Sequence, residues 1–318
     1  MDLSIFFAGT AGSVPSARRG LPALLVRRGG VRLLFDCGEG TQRQLVRSVG
    51  LPDIDDVFIT HLHADHWLGL PGMLKSFELR DREAPLRVFG PPGLAEMMNA
   101  MRRVYGRVSY PLSISELDVA QPVRGDGYEV IAFPVRHRGE SYGYALVEDA
   151  RPGRLDAELA ERLGVRPGPD FGRLQRGETV NGVSADQVVS EVRAGRKLVI
   201  SGDTAPCEAV SMAAHEADVL VHEATFGEDE AERARRTLHT TARQAAELAR
   251  DAHVRLLALT HLSSRYAGHE LREEAREVLA GTEVPRDFDS IEIPFPERGA
   301  PELVRFTRSP APEQQAPA

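Results

Sequence analysis

The chain has 318 residues, a formal charge of −8 at neutral pH and a pI near 5.7. That balance excludes a protein coated all over for nucleic acid, so a polyanionic partner would have to be met by a local basic patch or by bound metal. Hydrophobic residues make up 42% of the chain, ample for one large domain or two small ones, and no apolar run reaches membrane-spanning length, so no membrane partner is expected.

Two cysteines, Cys37 and Cys207, argue against a disulfide scaffold and for a reducing, cytoplasmic setting. Isolated thiols of this kind are expected to be buried and inert rather than metal ligands. The N-terminus, Met1-Asp2-Leu3-Ser4-Ile5-Phe6-Phe7, has neither a basic region nor a cleavage site and reads as a strand rather than a secretion signal.

Residues 3–8 and 23–28 read as the first strands, joined through Gly9-Thr10-Ala11-Gly12-Ser13-Val14-Pro15. Such a loop can cradle a phosphate, although Gly/Ser/Pro clusters mostly just turn the chain. Val31–Phe35 is a strand leading through Asp36-Cys37-Gly38-Glu39-Gly40 to a helix from about Gln42. Asp36, at the strand end, suits either loop capping or the support of a metal-ligating histidine. Val57-Phe58-Ile59 then stops at Thr60-His61-Leu62-His63-Ala64-Asp65-His66, the pattern of a buried strand ending at a site. His61 and His63 are two apart, so an extended backbone points both imidazoles the same way. Asp65 and His66 follow as the chain turns and aim at a neighbouring point. Four potential ligands are too many for one metal that also keeps a position for water, so two metals side by side are expected.

Leu68–Arg80 reads as a helix, Leu86–Phe89 as a strand and Leu94–Tyr105 as a helix. The alternation indicates an α/β architecture. Tyr128–Val135 is strand-like, and His137 just beyond it would complete a three-histidine site with His61 and His63. Residues 149–176 break the rhythm, with Arg151-Pro152-Gly153-Arg154, helical spacing over Leu155–Leu163, and Arg166-Pro167-Gly168-Pro169. The stretch 151–176 carries six arginines against four acids. It suits an arm for a polyanion, and equally an ordinary surface excursion.

The second half repeats one grammar: a strand ending in a ligand or acid. Leu198–Ile200 leads to Asp203, Val219–Val221 to His222 and Glu223, and Leu256–Leu259 to His261. Strand carboxyl ends are where α/β folds gather their sites. Thr240 or Thr241 caps a helix over Ala242–Ala252, leaving His239 on the incoming loop. His215, His253 and His269 read as ordinary histidines. The tail, 309–318, has the composition of a disordered segment.

A two-metal site needs about four side chains per metal with one carboxylate shared. His61, His63, His137 and Asp203 supply one set; Asp65, His66, His261 and the same Asp203 supply the other. Several motifs, taken together, resemble the ribonuclease Z family of the metallo-β-lactamase superfamily. They are Phe35-Asp36-Cys37-Gly38-Glu39-Gly40-Thr41-Gln42; Thr60–Gly69 with Leu70-Pro71-Gly72; Ser201-Gly202-Asp203-Thr204; His222-Glu223-Ala224-Thr225; and Thr260-His261 with Ser264-Arg265-Tyr266. The resemblance runs in order from about residue 3 to residue 296.

It implies a four-layer αββα sandwich over 1–308, with an inserted flexible arm at about 149–176 that includes Pro167-Gly168-Pro169. It also implies two zinc ions per subunit on the seven positions just named, Asp65 as proton acceptor for the attacking water, and Glu223 with His239 assisting the leaving 3′-oxygen. The implied substrate is precursor tRNA, cut 3′ of the discriminator nucleotide by a homodimer whose arms grip the tRNA body. His239-Thr240-Thr241 stands where the family has histidine-serine-threonine, which keeps the hydroxyl. The remaining readings are a dinuclear phosphodiesterase for small substrates, which leaves the arm unexplained, and a non-catalytic RNA-binding member, which should lack ligands. Lactam or glyoxalase hydrolysis gives no reason for Glu223 with His239.

Overall fold

The computed structural model describes residues 1–119 and 121–307; the tail expected to be disordered, 309–318, lies outside them. The strands are β1 (Leu3–Gly9), β2 (Ala23–Arg28), β3 (Val31–Phe35), β4 (Asp56–Phe58), β5 (Leu86–Gly90), β6 (Leu112–Glu116), β7 (Val123–Gly125), β8 (Tyr128–Pro134), β9 (Tyr142–Glu148), β10 (Lys197–Ile200), β11 (Val219–Glu223), β12 (Leu256–Thr260), β13 (Thr282–Glu283), β14 (Ser290–Glu292) and β15 (Glu302–Val304). They fall into two compact units, one holding 1–122, 131–145 and the chain from 197 onward, the other holding 123–130 and 146–196.

The larger unit carries two mixed sheets flanked by helices. One runs β15-β14-β1-β2-β3-β4-β5-β6, antiparallel across β1, β2 and β3 and parallel from β3 to β6. In the other, β10 to β13 are parallel neighbours. These strands read as apolar runs because both their faces are covered; β1 and β11 are buried throughout. The parallel register sets Ile200 beside Val221 and Val221 beside Ala258, so the carboxyl ends of β10, β11 and β12 open at one edge.

Behind that edge the sheets are locked together. Phe35, Phe58 and Phe89 stack across β3, β4 and β5. Tyr144 of β9 packs against Phe35 and Phe58 and donates its hydroxyl to the Ile59 carbonyl at 2.6 Å. A buried tyrosine needs such a partner, and this one pins the backbone two residues before His61.

The helices follow their apolar spacing. The expected helix over Leu68–Arg80 is present as Leu70–Glu78, and a separate short helix, Ala64–Trp67, precedes it. Gly69 between them brings its N–H to the Cys37 carbonyl at 2.8 Å, and a Cβ there would lie 2.1 Å from the Gly38 carbonyl oxygen. In Ala242–Asp251 the buried positions are Ala242, Ala245, Ala246 and Ala249, a helical stripe of minimal side chains. Thr241 is its cap, accepting from the Gln244 N–H. Among the described residues no helix is long and apolar enough to cross a membrane.

The smaller unit contains the stretch expected as an arm and continues to Arg196. Its helices are Ala157–Arg162, Pro169–Gln175 and Ala185–Val188. They enclose a core of their own: Ala160, Val165, Leu174, Val180, Val183 and Val188. That stretch is therefore part of a folded unit, closed by residues beyond 176. Its hairpin pairs Val123 with Val130. Arg196 is buried against Glu148, with Nε to Oε2 at 2.7 Å and Nη2 to Oε1 at 2.8 Å. Removing Glu148 takes the paired carboxylate from a buried guanidinium, so Glu148→Ala should cost about 3–5 kcal/mol. Replacing both, Glu148→Leu with Arg196→Met, should cost much less. Denaturant unfolding checks this, and a Glu148→Ala midpoint equal to that of the parent chain would contradict it.

Candidate metal centre

Each candidate side chain is delivered by a strand end or the turn after it. β3 ends at Phe35 and the chain turns through Asp36, left-handed at φ 59°. β4 runs on through Ile59 and Thr60 to His61. His63 precedes the short helix Ala64–Trp67, which carries Asp65 and His66. His137 follows β8, Asp203 follows β10 and His261 follows β12, the last at φ 56°. Non-glycine residues held left-handed are costly and cluster where a site over-determines the backbone.

All seven expected ligand residues meet. Around one point lie His61 Nε2, His63 Nδ1 and His137 Nε2, with His63 Nδ1 2.9 Å from His61 Nε2 and 3.2 Å from His137 Nε2. Around a second lie His66 Nε2, Asp65 Oδ2 and His261 Nε2, with Asp65 Oδ2 3.6 Å and 3.5 Å from the two imidazole nitrogens. Asp203 Oδ2 faces both points, at 3.8 Å from His61 Nε2, 4.0 Å from His137 Nε2, 3.5 Å from His66 Nε2 and 3.1 Å from His261 Nε2.

The far sides of His61, His66, His137 and His261 are tethered. His66 Nδ1 donates to Asp36 Oδ2 at 2.7 Å, His61 Nδ1 to Thr60 Oγ1 at 3.0 Å, His137 Nδ1 to the Leu238 carbonyl at 3.0 Å and His261 Nδ1 to Thr225 Oγ1 at 2.8 Å. Two buried carboxylates stand behind these tethers. Asp36 takes the Thr60 N–H and hydroxyl as well as His66. Glu223 takes the Thr225 N–H and hydroxyl and, at 2.7 Å, His239 Nδ1. Asp65 receives the Ser13 N–H at 3.0 Å. Gly12, beside it, approaches so closely that a Cβ would sit 2.7 Å from His261 Nδ1.

The electrostatics follow from burial set against these charges. Burial, reinforced by the His66 imidazole, holds His61 well below the ordinary histidine value. Burial opposes ionisation of Asp203, yet His261 and His66 keep it well below the usual carboxylate range. His66, also buried, is raised well above its ordinary value by Asp203 and Asp36. His239 resists burial too, lifted by Glu223 to about 9.

The donor set fits borderline metal ions. His66 Nε2 and His261 Nε2 are buried without a hydrogen-bond partner, a costly state for an imidazole nitrogen unless something else meets it. Both aim at the second point, where only carboxylate oxygens join them. Imidazole nitrogen with carboxylate oxygen is the ligand chemistry of zinc and its neighbours, and binding there would displace the proton His66 otherwise holds.

Not every singled-out residue converges here. His222 is one position from Glu223 on β11, so its side chain leaves by the opposite face; it is buried, with Nδ1 2.7 Å from the Glu223 carbonyl. Cys37 is buried and its thiol is pushed up by burial, while Cys207 is half-buried; among the described residues neither belongs to a group that could hold a metal. Thr60, Thr225, Ser13, Gly12 and Leu238 are supports that sequence reasoning does not single out. A hydroxyl residue directly before His61, and another two after Glu223, is the available signal for the threonines.

The metallo-beta-lactamase superfamily profile matches residues 20–261. A ribonuclease Z from Haloferax volcanii is 47% identical over 305 residues, covering 93% of this chain and 96% of that protein. The chain belongs to the ribonuclease Z family. A Myxococcus xanthus ribonuclease Z is 46% identical over 302 residues, covering 92% and 98% of the two chains. The crystal structure of the short form of human tRNase Z superposes with a TM-score of 0.67 at 27% identity, covering 92% of this chain and 99% of that one. In this ribonuclease Z family member, Asp36→Asn should weaken metal affinity about 10–100-fold, because it loosens His66 directly and His61 through Thr60. Competition with a chelating dye reads the affinity, and a value equal to that of the parent chain would contradict the tether.

Proposed function

We propose that the chain is a zinc-dependent endoribonuclease that hydrolyses precursor tRNA 3′ of the discriminator nucleotide. It would leave a 3′-hydroxyl on the tRNA and the phosphate on the trailer. The observation that carries the proposal is the pair of donor sets sharing Asp203 Oδ2, in a ribonuclease Z family chain. His61, His63, His137 and Asp203 would hold one zinc ion, and Asp65, His66, His261 and Asp203 the other. Two zinc ions bound there supply Lewis-acid activation of water and stabilise charge on the phosphoryl group.

The remaining work falls to side chains. Asp65, oriented by the Ser13 N–H, takes the proton from the attacking water as the new P–O bond forms. The P–O3′ bond breaks in line, and the leaving 3′-oxygen needs a proton. His239 is placed to give it: Nδ1 is fixed on Glu223, its charge is favoured at neutral pH, and it lines the same cleft as His63, Asp65, His137 and Asp203.

The unit 146–196 is our candidate grip on the tRNA body. Arg173 and Arg176 pair with acids there, whereas exposed Arg154, Arg162 and Arg166 carry no guanidinium partner among the described residues. Unpaired arginines suit backbone phosphates. The resemblance of this segment to a tRNA-gripping arm supports a homodimer in which each subunit offers its unit to tRNA in the cytoplasm.

A 3′-extended precursor tRNA, mapped at nucleotide resolution, should be cut once, after the discriminator, and only with metal present. Asp65→Ala should lower the rate by about 100–10,000-fold, the usual worth of a positioned proton acceptor. An intact precursor beside hydrolysis of a small phosphodiester would sink the tRNA reading.

The rate should also fall on the alkaline side near the value of about 9 set for His239, since an acid whose pKa is raised stays competent until the pH passes that value. Glu223→Gln removes the charge that raises it, so the alkaline limb should move to lower pH. A limb that stays in place in Glu223→Gln would rule His239 out as the proton donor.

A further inference from the structure

Beside the candidate centre lies a second cleft of about 480 Å³, lined by Arg136, Ala205, Pro206, Ala231, Glu232, Arg235, His239 and Gln244. His239 lines this cleft and the one over the donor sets. We infer that this cleft is the subsite for the nucleotide on the 5′ side of the scissile phosphate, with Arg136 and Arg235 holding its backbone phosphate. The inference rests on the function proposed above and adds a direction to it.

The direction comes from His239. If it protonates the leaving 3′-oxygen, the ribose bearing that oxygen lies against it, and the nucleotide attached extends into the space His239 borders on its other side. The trailer must then leave away from this cleft.

The lining suits that occupant. Arg136 and Arg235 are exposed and have no guanidinium partner among the described residues. On the same helix, Arg233 pairs with Glu230 at 3.5 Å, and nearby Arg265 pairs with Glu230 at 3.1 Å. Arg136 and Arg235 thus bring two uncompensated charges to the cleft in a chain of charge −8. Glu232 is the one acid in the lining, and Arg136 and Arg235 outnumber it. Ala205, Pro206 and Ala231 give an apolar surface for a base. Gln244 has its Oε1 committed to the Thr241 N–H at 3.2 Å, so its amide nitrogen remains to donate. The volume lies within the range of about 300–1,000 Å³ usual for such sites.

The test is Arg235→Gln in the full chain, with Arg236→Gln, an arginine outside the cleft lining, as the control for charge alone. On precursor tRNA, Arg235→Gln should raise KM about ten-fold with kcat nearly kept, and reduce the salt slope of log(kcat/KM) by about 0.7–0.9, one phosphate contact. Arg236→Gln should change neither. Phosphate-ethylation interference should then lose, in Arg235→Gln, a contact on the 5′ side of the cut. A parent-like KM and slope, or a lost contact in the trailer, would overturn the subsite while leaving tRNA cleavage intact. A parent chain that leaves the precursor uncut would sink the tRNA reading, and this subsite with it.

Discussion

Two buried carboxylates organise this protein. Asp36 and Glu223 lie at the ends of strands in opposite sheets, and burial makes each a liability unless its oxygens are met by donors. They solve the problem in the same way. Each accepts the backbone N–H and hydroxyl of one threonine, Thr60 or Thr225, and the Nδ1–H of one imidazole, His66 or His239. Each threonine oxygen in turn receives a second imidazole, His61 or His261. Four of the histidines around the centre are thereby fixed in tautomer and orientation by two charges. Satisfying the carboxylates and aiming the imidazoles are one set of hydrogen bonds.

The fold matters because it brings those carboxylates to one edge. β3 and β11 belong to different sheets, and their ends stay level because Tyr144 of β9 ties its sheet to the backbone at Ile59. The parallel register of β10, β11 and β12 presents Asp203, Glu223 and His261 together. The left-handed turns at Asp36 and His261 are the local cost of turning the chain immediately after a strand, and the one at Leu238 ends the helix Ala231–Thr237. That cost falls where packing on both sides leaves no alternative, and it places a side chain or a carbonyl at the centre.

Much of this was legible in the sequence, for a physical reason. A buried parallel strand is an apolar run, so the residue that stops the run is conspicuous, and His61, Asp203, Glu223 and His261 all stand at such stops. The supports were not legible. Thr225 reaches His261 across 36 residues and Ser13 reaches Asp65 across 52, and no local period reports a contact of that span. Gly12 looks like any loop glycine until His261 is seen against it. The helix expected over Leu68–Arg80 forms as Leu70–Glu78, and what the pattern does not report is the short helix Ala64–Trp67 before it, set apart where Gly69 approaches the Cys37–Gly38 backbone. The compact unit that contains the stretch 149–176 runs on past it, because Val180, Val183 and Val188 complete its core, and three valines in a polar stretch do not announce a core.

The charge of the chain is the hardest fact to reconcile with an RNA substrate, and the arrangement of charges within it resolves the conflict. Some arginines near the centre are spent on acids, as Arg233 and Arg265 are on Glu230. Arg136 and Arg235, with no guanidinium partner among the described residues, face a cleft that His239 also lines, while the donor sets beyond it call for dications. Attraction for a polyanion then depends on a few uncompensated charges at short range, where screening by salt is weakest. An acidic surface elsewhere discourages nonspecific contact with nucleic acid. A substrate gripped only where its scissile phosphate meets this line of charge is selected by geometry more than by overall electrostatic affinity.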